Sequence, residues 1–131
     1  MVKPKSSPSA SPRTVLVVED EVLVRLLICD ELRDRGLRVV EAANADEALM
    51  YVRTDPTVRL VFSDVRMPGS MDGVALAQHL KSEFPHVTVV LTSGHLLPGD
   101  VERETLLLTK PYPLVETGNR IIALLDEGHD E

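Results

Sequence analysis

Four apolar segments of this 131-residue chain run directly into residues that can do chemistry. Glu19-Asp20-Glu21 follows "TVLVV", Asp64 follows "RLVFS", Thr92-Ser93-Gly94 follows "VTVVL", and Lys110 follows "TLLLT". Two carboxylates about 4 Å apart repel by roughly 1 kcal/mol in water and about 4 kcal/mol at an effective dielectric near 20, so a cation must hold such a group together. A hard divalent ion such as Mg2+ suits an all-oxygen site with one or two carboxylates, and it also draws a phosphoryl oxygen. Lys110 adds a compact positive charge able to bind phosphate. In that company Asp64 has the chemistry of a carboxylate nucleophile toward phosphorus, because the cations neutralise the charge that develops.

Bringing these groups to one rim requires strands whose carboxyl ends meet. The segments at 14–19, 37–42, 59–64, 87–92 and 105–110 are short, apolar and mostly β-branched, and several are almost continuously hydrophobic, as in strands buried on both faces of a parallel sheet. Helical spacing fills the gaps. In "EVLVRLLICDELRDRG" the residues Val22, Leu23, Leu26, Leu27 and Leu32 form one apolar stripe expected to face the core, and Gly36 is a stop signal. Asn44 with Glu47 reads as a capping box, Asp72 as the cap of a helix ending before Pro85, and Pro113 as part of a last helix's first turn. Strand-helix alternation predicts an α/β domain, a doubly wound parallel sheet with helices on both faces. Ligands in such sheets sit beyond the carboxyl ends of the strands, where the four polar clusters fall.

Composition narrows the function. The chain is one domain long, and its 44% hydrophobic content suffices for one core. A net charge of -7 with only two Phe, two Tyr and no Trp argues against nucleic-acid binding. A lone Cys29 excludes an internal disulfide and packs best as a small hydrophobe. Without an apolar run of membrane-spanning length or a signal-peptide core, a cytoplasmic location without membrane insertion is expected. Residues 1–13, rich in Ser, Pro and Lys, read as a flexible tail, 14–127 as the folded domain and 128–131 as an acidic end.

The stretches "VLVVEDE", "FSDVRMPGSMDG", "VVLTSG" and "KPY", in that order, resemble the receiver domain of two-component response regulators, over residues 14 to about 126. The resemblance implies a flavodoxin-like sheet of five parallel strands ordered 2-1-3-4-5. It implies Asp64 as phosphoacceptor, with Glu19 and Asp20 as the acidic pair that helps hold Mg2+, Asp20 directly and Glu19 through water. The backbone carbonyl of Arg66 would complete the protein ligands. Thr92 matches the hydroxyl that moves toward the phosphoryl group, and Lys110 the lysine that pairs with it; Lys110-Pro111 is similar to the family's cis peptide. With no sequence left for an output domain, the expectation is a single-domain response regulator, a signalling protein rather than an enzyme on an external substrate. Its phosphodonor would be a sensor histidine kinase or a histidine phosphotransfer protein. Its output would be an unidentified downstream protein, and the resemblance allows a homodimer.

Other readings attach to the same residues. Asp64 alone could serve only to enter the turn, Glu21 reads as a first-turn acid, and His79 as an exposed helical residue. "MPGSMDG" carries one residue more than the commonest family form, and Leu107 stands where many members have an inward-rotating aromatic. "GHLLPGDVERE" is interrupted by Pro98 and Gly99, so the fourth helix is expected to be short or irregular, and residues 94–104 are the expected place for the readout of phosphorylation. A metal-dependent phosphatase would want an acid two residues after the nucleophile, where Arg66 stands. The remaining alternative is a receiver-fold binding module acting without phosphorylation.

Overall fold

The computed structural model describes residues 13–93, 106–109 and 112–129. Five parallel strands, β1 (Thr14–Val18), β2 (Arg38–Ala42), β3 (Val58–Asp64), β4 (Thr88–Ser93) and β5 (Leu106–Thr109), lie in the order β2-β1-β3-β4-β5. Helices α1 (Val22–Asp34), α2 (Ala45–Thr54), α3 (Gly73–Glu83) and α4 (Leu114–His129) complete the described chain. The predicted sheet and strand order are therefore present. Residues 1–12 of the expected tail, the segment expected to hold an irregular fourth helix and the phosphorylation readout, and Lys110-Pro111 lie outside the described residues, whereas Arg13, assigned to the tail, is placed and its Nη1 donates to Asp126 Oδ1 of α4 at 2.8 Å.

Period-two alternation along β1 divides the core. Val15 and Val17 pack with Leu60 and Phe62 against Ile28, Cys29 and Leu32 of α1 and Ile121 and Leu125 of α4. Leu16 and Val18 point the other way, with Val61, against Ala48 and Leu49 of α2 and Leu76 and Leu80 of α3. Both faces of the central strands are thus apolar, which explains their unbroken hydrophobicity.

Local signals set the helix ends. The Asn44 side chain accepts from the Glu47 backbone N–H at 2.9 Å, while Glu47 Oε1 accepts from the Ala43 N–H at 2.9 Å, so the reciprocal bond falls one residue before the cap. Asp72 accepts from the Ala75 N–H at 2.9 Å. Gly36, at φ 87°, closes α1 with Gly36 N–H to Arg33 O and Leu37 N–H to Leu32 O, the paired bonds of a Schellman stop.

One expectation about α1 is overturned. Val22, Leu23, Leu26 and Leu27 face solvent, Leu23 being 69% exposed, and the buried stripe is Ile28, Cys29 and Leu32. The helix is apolar on two sides, and its docking is decided by Ile28, Cys29 and Leu32 fitting against β1 and β3, with Arg25 reaching the β2 side. Of the predicted stripe only Leu32 is core.

Candidate functional site

Parallel β1 and β3 are neighbours, so their carboxyl ends deliver Glu19 and Asp20 on one side and Asp64 on the other. One carboxylate oxygen from each of the three lies within 4.8 Å of the others. They differ in setting: Glu19 is 3% exposed, Asp64 is half-buried and Asp20 faces solvent. Such a group is all-oxygen, partly open and self-repelling, which is the donor chemistry of a hard divalent cation with retained waters.

Glu19 and Asp64 are set in place by backbone. The Glu19 N–H donates to Ala42 O of β2 at 3.1 Å, and Glu19 Oε2 accepts from the Glu21 N–H at 3.1 Å. Glu21 is the N-cap residue of α1, and its side chain makes no capping bond. Asp64 is the last residue of β3; its Oδ1 accepts from the Arg66 N–H at 3.2 Å, and its backbone carbonyl accepts from the Ser63 hydroxyl at 2.9 Å. The Val65 N–H continues the ladder to Thr92 O at 2.9 Å.

Thr92 sits directly opposite Asp64 in the β3–β4 register. Its hydroxyl is buried, at 1% residue exposure, and has no hydrogen-bond partner among the described residues. A buried hydroxyl without a partner costs roughly 1–3 kcal/mol, so the site has room in its bonding for an incoming acceptor such as a phosphoryl oxygen. That fits the predicted chemistry on an observation independent of the acids. Lys110 lies outside the described residues; Glu19, Asp20 and Asp64 lie together, and Thr92 is the register partner of Asp64.

Two residues of the site escaped the sequence reading. Gly73 opens α3 against the back of Asp64, its N–H donating to Val65 O at 2.8 Å, and a Cβ there would lie 2.1 Å from Asp64 O. Arg25 reaches the acidic turn from α1, donating to the Glu19 carbonyl at 2.7 Å. The glycine could have been flagged from the "DG" helix start, whereas nothing local distinguishes Arg25 from a surface arginine. In "MPGSMDG" Gly69 takes φ 106° and the Ser70 hydroxyl donates to Asp46 of α2 at 2.9 Å. His79 is exposed as expected, with Nδ1 3.7 Å from Glu83. Burial and the nearby Glu41 push the Cys29 thiol up to about 11, consistent with a packing residue.

Comparison with known proteins agrees with this fold. The putative NtrX-like response regulator of Rickettsia felis is 37% identical over 82 residues, 62% of this chain and 17% of that protein. The sensor kinase CckA of Brucella abortus is 33% identical over 131 residues, 94% of this chain and 14% of that protein. The chain thus spans less than a fifth of either relative. The crystal structure of the receiver domain of the hybrid histidine kinase CckA superposes with a TM-score of 0.73 at 34% identity, covering 86% of this chain and 98% of that one. Residues 15–105 match the response regulator receiver domain family, and with the strand order of the sheet in agreement the chain belongs to that family.

Proposed function

We propose that this chain accepts a phosphoryl group on Asp64 from the phosphohistidine of a histidine kinase or histidine phosphotransfer protein, in a Mg2+-dependent reaction, and signals through protein contacts that depend on the phosphorylated state. The observation that carries this reading is three carboxylates within 4.8 Å, one of them set opposite a buried hydroxyl with no partner among the described residues. Receiver domains are signalling domains, and that membership makes a nucleophilic Asp64 more economical than a structural one.

Asp20 and Asp64 directly, Glu19 through water and the Arg66 carbonyl would hold the cation, which supplies neutralisation of charge on the phosphoryl oxygens. An Asp64 oxygen forms the new O–P bond as the N–P bond of the donor breaks; the electron pair stays on the imidazole nitrogen, which takes up a proton. The Thr92 hydroxyl turns its proton toward a phosphoryl oxygen, and Lys110 pairs with the same group. Attack of water on phosphorus later restores the carboxylate and releases inorganic phosphate. The donor protein must cover the rim during transfer, and the exposed Val22, Leu23, Leu26 and Leu27 beside the acidic turn offer it apolar surface.

Incubation with Mg2+ and acetyl phosphate followed by intact mass tests the reading. The expected result is a gain of about 80 Da, one phosphoryl unit on a carboxylate, lost in Asp64→Ala and in EDTA. An adduct that persists in Asp64→Ala, or no adduct from either acetyl phosphate or a phosphohistidine protein, overturns it.

A further inference from the structure

The turn that carries Glu19 and Asp20 has to hold two adjacent acids in place; its capping residue contributes its backbone N–H to Glu19 Oε2, but the Glu21 side chain makes no capping bond to α1. The Glu19 backbone is gripped from two sides. Its N–H is bound to β2 through Ala42 O at 3.1 Å, and its carbonyl accepts from Arg25 Nη1 at 2.7 Å. Arg25 is itself anchored, because Nε donates to Glu41 Oε1 at 3.0 Å and only 17% of the side chain is exposed. Glu41 is fixed in turn by Arg33 Nη2 at 3.1 Å, which also donates to Val39 O at 3.1 Å. A planar guanidinium spanning a carbonyl and a carboxylate is a rigid spacer that a point charge cannot reproduce.

We propose that Arg25 is a positioning residue for the cation site: by fixing the peptide between Glu19 and Asp20 it orients the Asp20 carboxylate toward Asp64. The inference rests on the Mg2+-dependent reading above. Two consequences of the arginine oppose each other, which makes it decidable. As a nearby positive charge Arg25 repels an incoming cation, whereas as a clamp it preorganises the ligands.

The experiment is calorimetric titration of the full chain with Mg2+, together with amide shifts of residues 19–21, for wild type, Arg25→Lys and Arg25→Ala. Positioning predicts that both variants bind Mg2+ about tenfold more weakly or worse, the scale of one charge-assisted hydrogen bond, although Arg25→Ala removes a repelling charge. Tighter binding by Arg25→Ala with an unchanged Arg25→Lys overturns the proposal in favour of charge alone. A lowered Tm with unchanged Mg2+ affinity overturns it in favour of a merely structural role. Arg25→Lys keeps the charge and the aliphatic stem, so it decides the question by itself if the alanine variant does not fold. Wild type that gives no Mg2+ titration overturns the metal reading and this inference with it, a result separate from wild-type binding that the variants leave unchanged.

Discussion

A methyl group at position 73 would sit 2.1 Å from the carbonyl oxygen of Asp64 and 2.9 Å from the Cα of Val65, so the obstacle is backbone and the whole β3–α3 joint must move. Overpacking of this kind costs about 1–3 kcal/mol, and here the part displaced carries the proposed nucleophile. Gly73→Ala is therefore expected to lower the urea midpoint and also to slow phosphorylation of Asp64 in the intact-mass assay. Gly118 of α4 provides the control. The nearest atoms a Cβ there would meet all belong to the Arg35 side chain, 2.4 Å at Nε, and that chain can swing aside. Arg35 would give up its bonds to Val115 O and Asn119 Oδ1, while alanine regains up to about 1 kcal/mol of helix propensity. Gly118→Ala should stay within about 1 kcal/mol of wild type by urea unfolding, with phosphorylation unchanged. An equal loss in both variants would sink the distinction. The acids and Thr92 were legible in sequence because each ends an apolar strand. Gly73 and Arg25 were not, since a close approach and a clamp exist only once α1, α3 and the sheet have packed.

At the scale of elements, α1 shows where periodicity runs out. Its sequence places large aliphatic residues on two sides, and spacing alone cannot tell which side docks. The structure buries Ile28, Cys29 and Leu32 and leaves Val22, Leu23, Leu26 and Leu27 exposed, a choice made by the neighbours these side chains meet on β1, β3 and α4. The energetic consequence is asymmetric. Leu32→Ala opens a cavity in a fully buried position and should cost about 2–5 kcal/mol. Leu23→Ser, at a position 69% exposed, should change unfolding by no more than about 0.5 kcal/mol. Urea unfolding of the two variants checks the assignment, and comparable losses would return Leu23 to the core. The caps, by contrast, read correctly because Asn44, Asp72 and Gly36 act through bonds to residues a few positions away.

At the scale of the whole molecule, the two ends of the sheet hold opposite electrostatic designs. The carboxyl ends gather three acids that repel one another, whereas the amino ends tie β1, β2 and the α2–β3 connection together around one fully bonded acid. Asp55 accepts from the Thr57 hydroxyl at 2.6 Å and the Thr57 N–H at 2.9 Å, from the Tyr51 hydroxyl, and from Arg38 Nη1 at 3.0 Å. Arg38 also donates to Thr14 Oγ1 at 2.7 Å. The alternation of strands and helices was legible along the chain, but this network was not, because Thr14, Arg38 and Asp55 become neighbours only when the strand order is set. Thr57 first, then Tyr51 and Arg38, hold the Asp55 carboxyl well below its ordinary value of 3.8. A carboxylate whose folded value is depressed stabilises the fold at any pH above the unfolded value, and that stabilisation fades as pH falls toward the folded one. Asp55→Asn should therefore be less stable than wild type by a constant margin between about pH 7 and pH 5, and the margin should shrink once pH drops below about 4, where the unfolded carboxyl protonates first. Taking the difference between the two proteins cancels the contribution of Glu83, also lowered by its Arg53 partner. Urea unfolding across that range reads the margin directly; one that grows toward low pH would mean that Asp55 is held in its protonated form, contrary to the four donors that surround it.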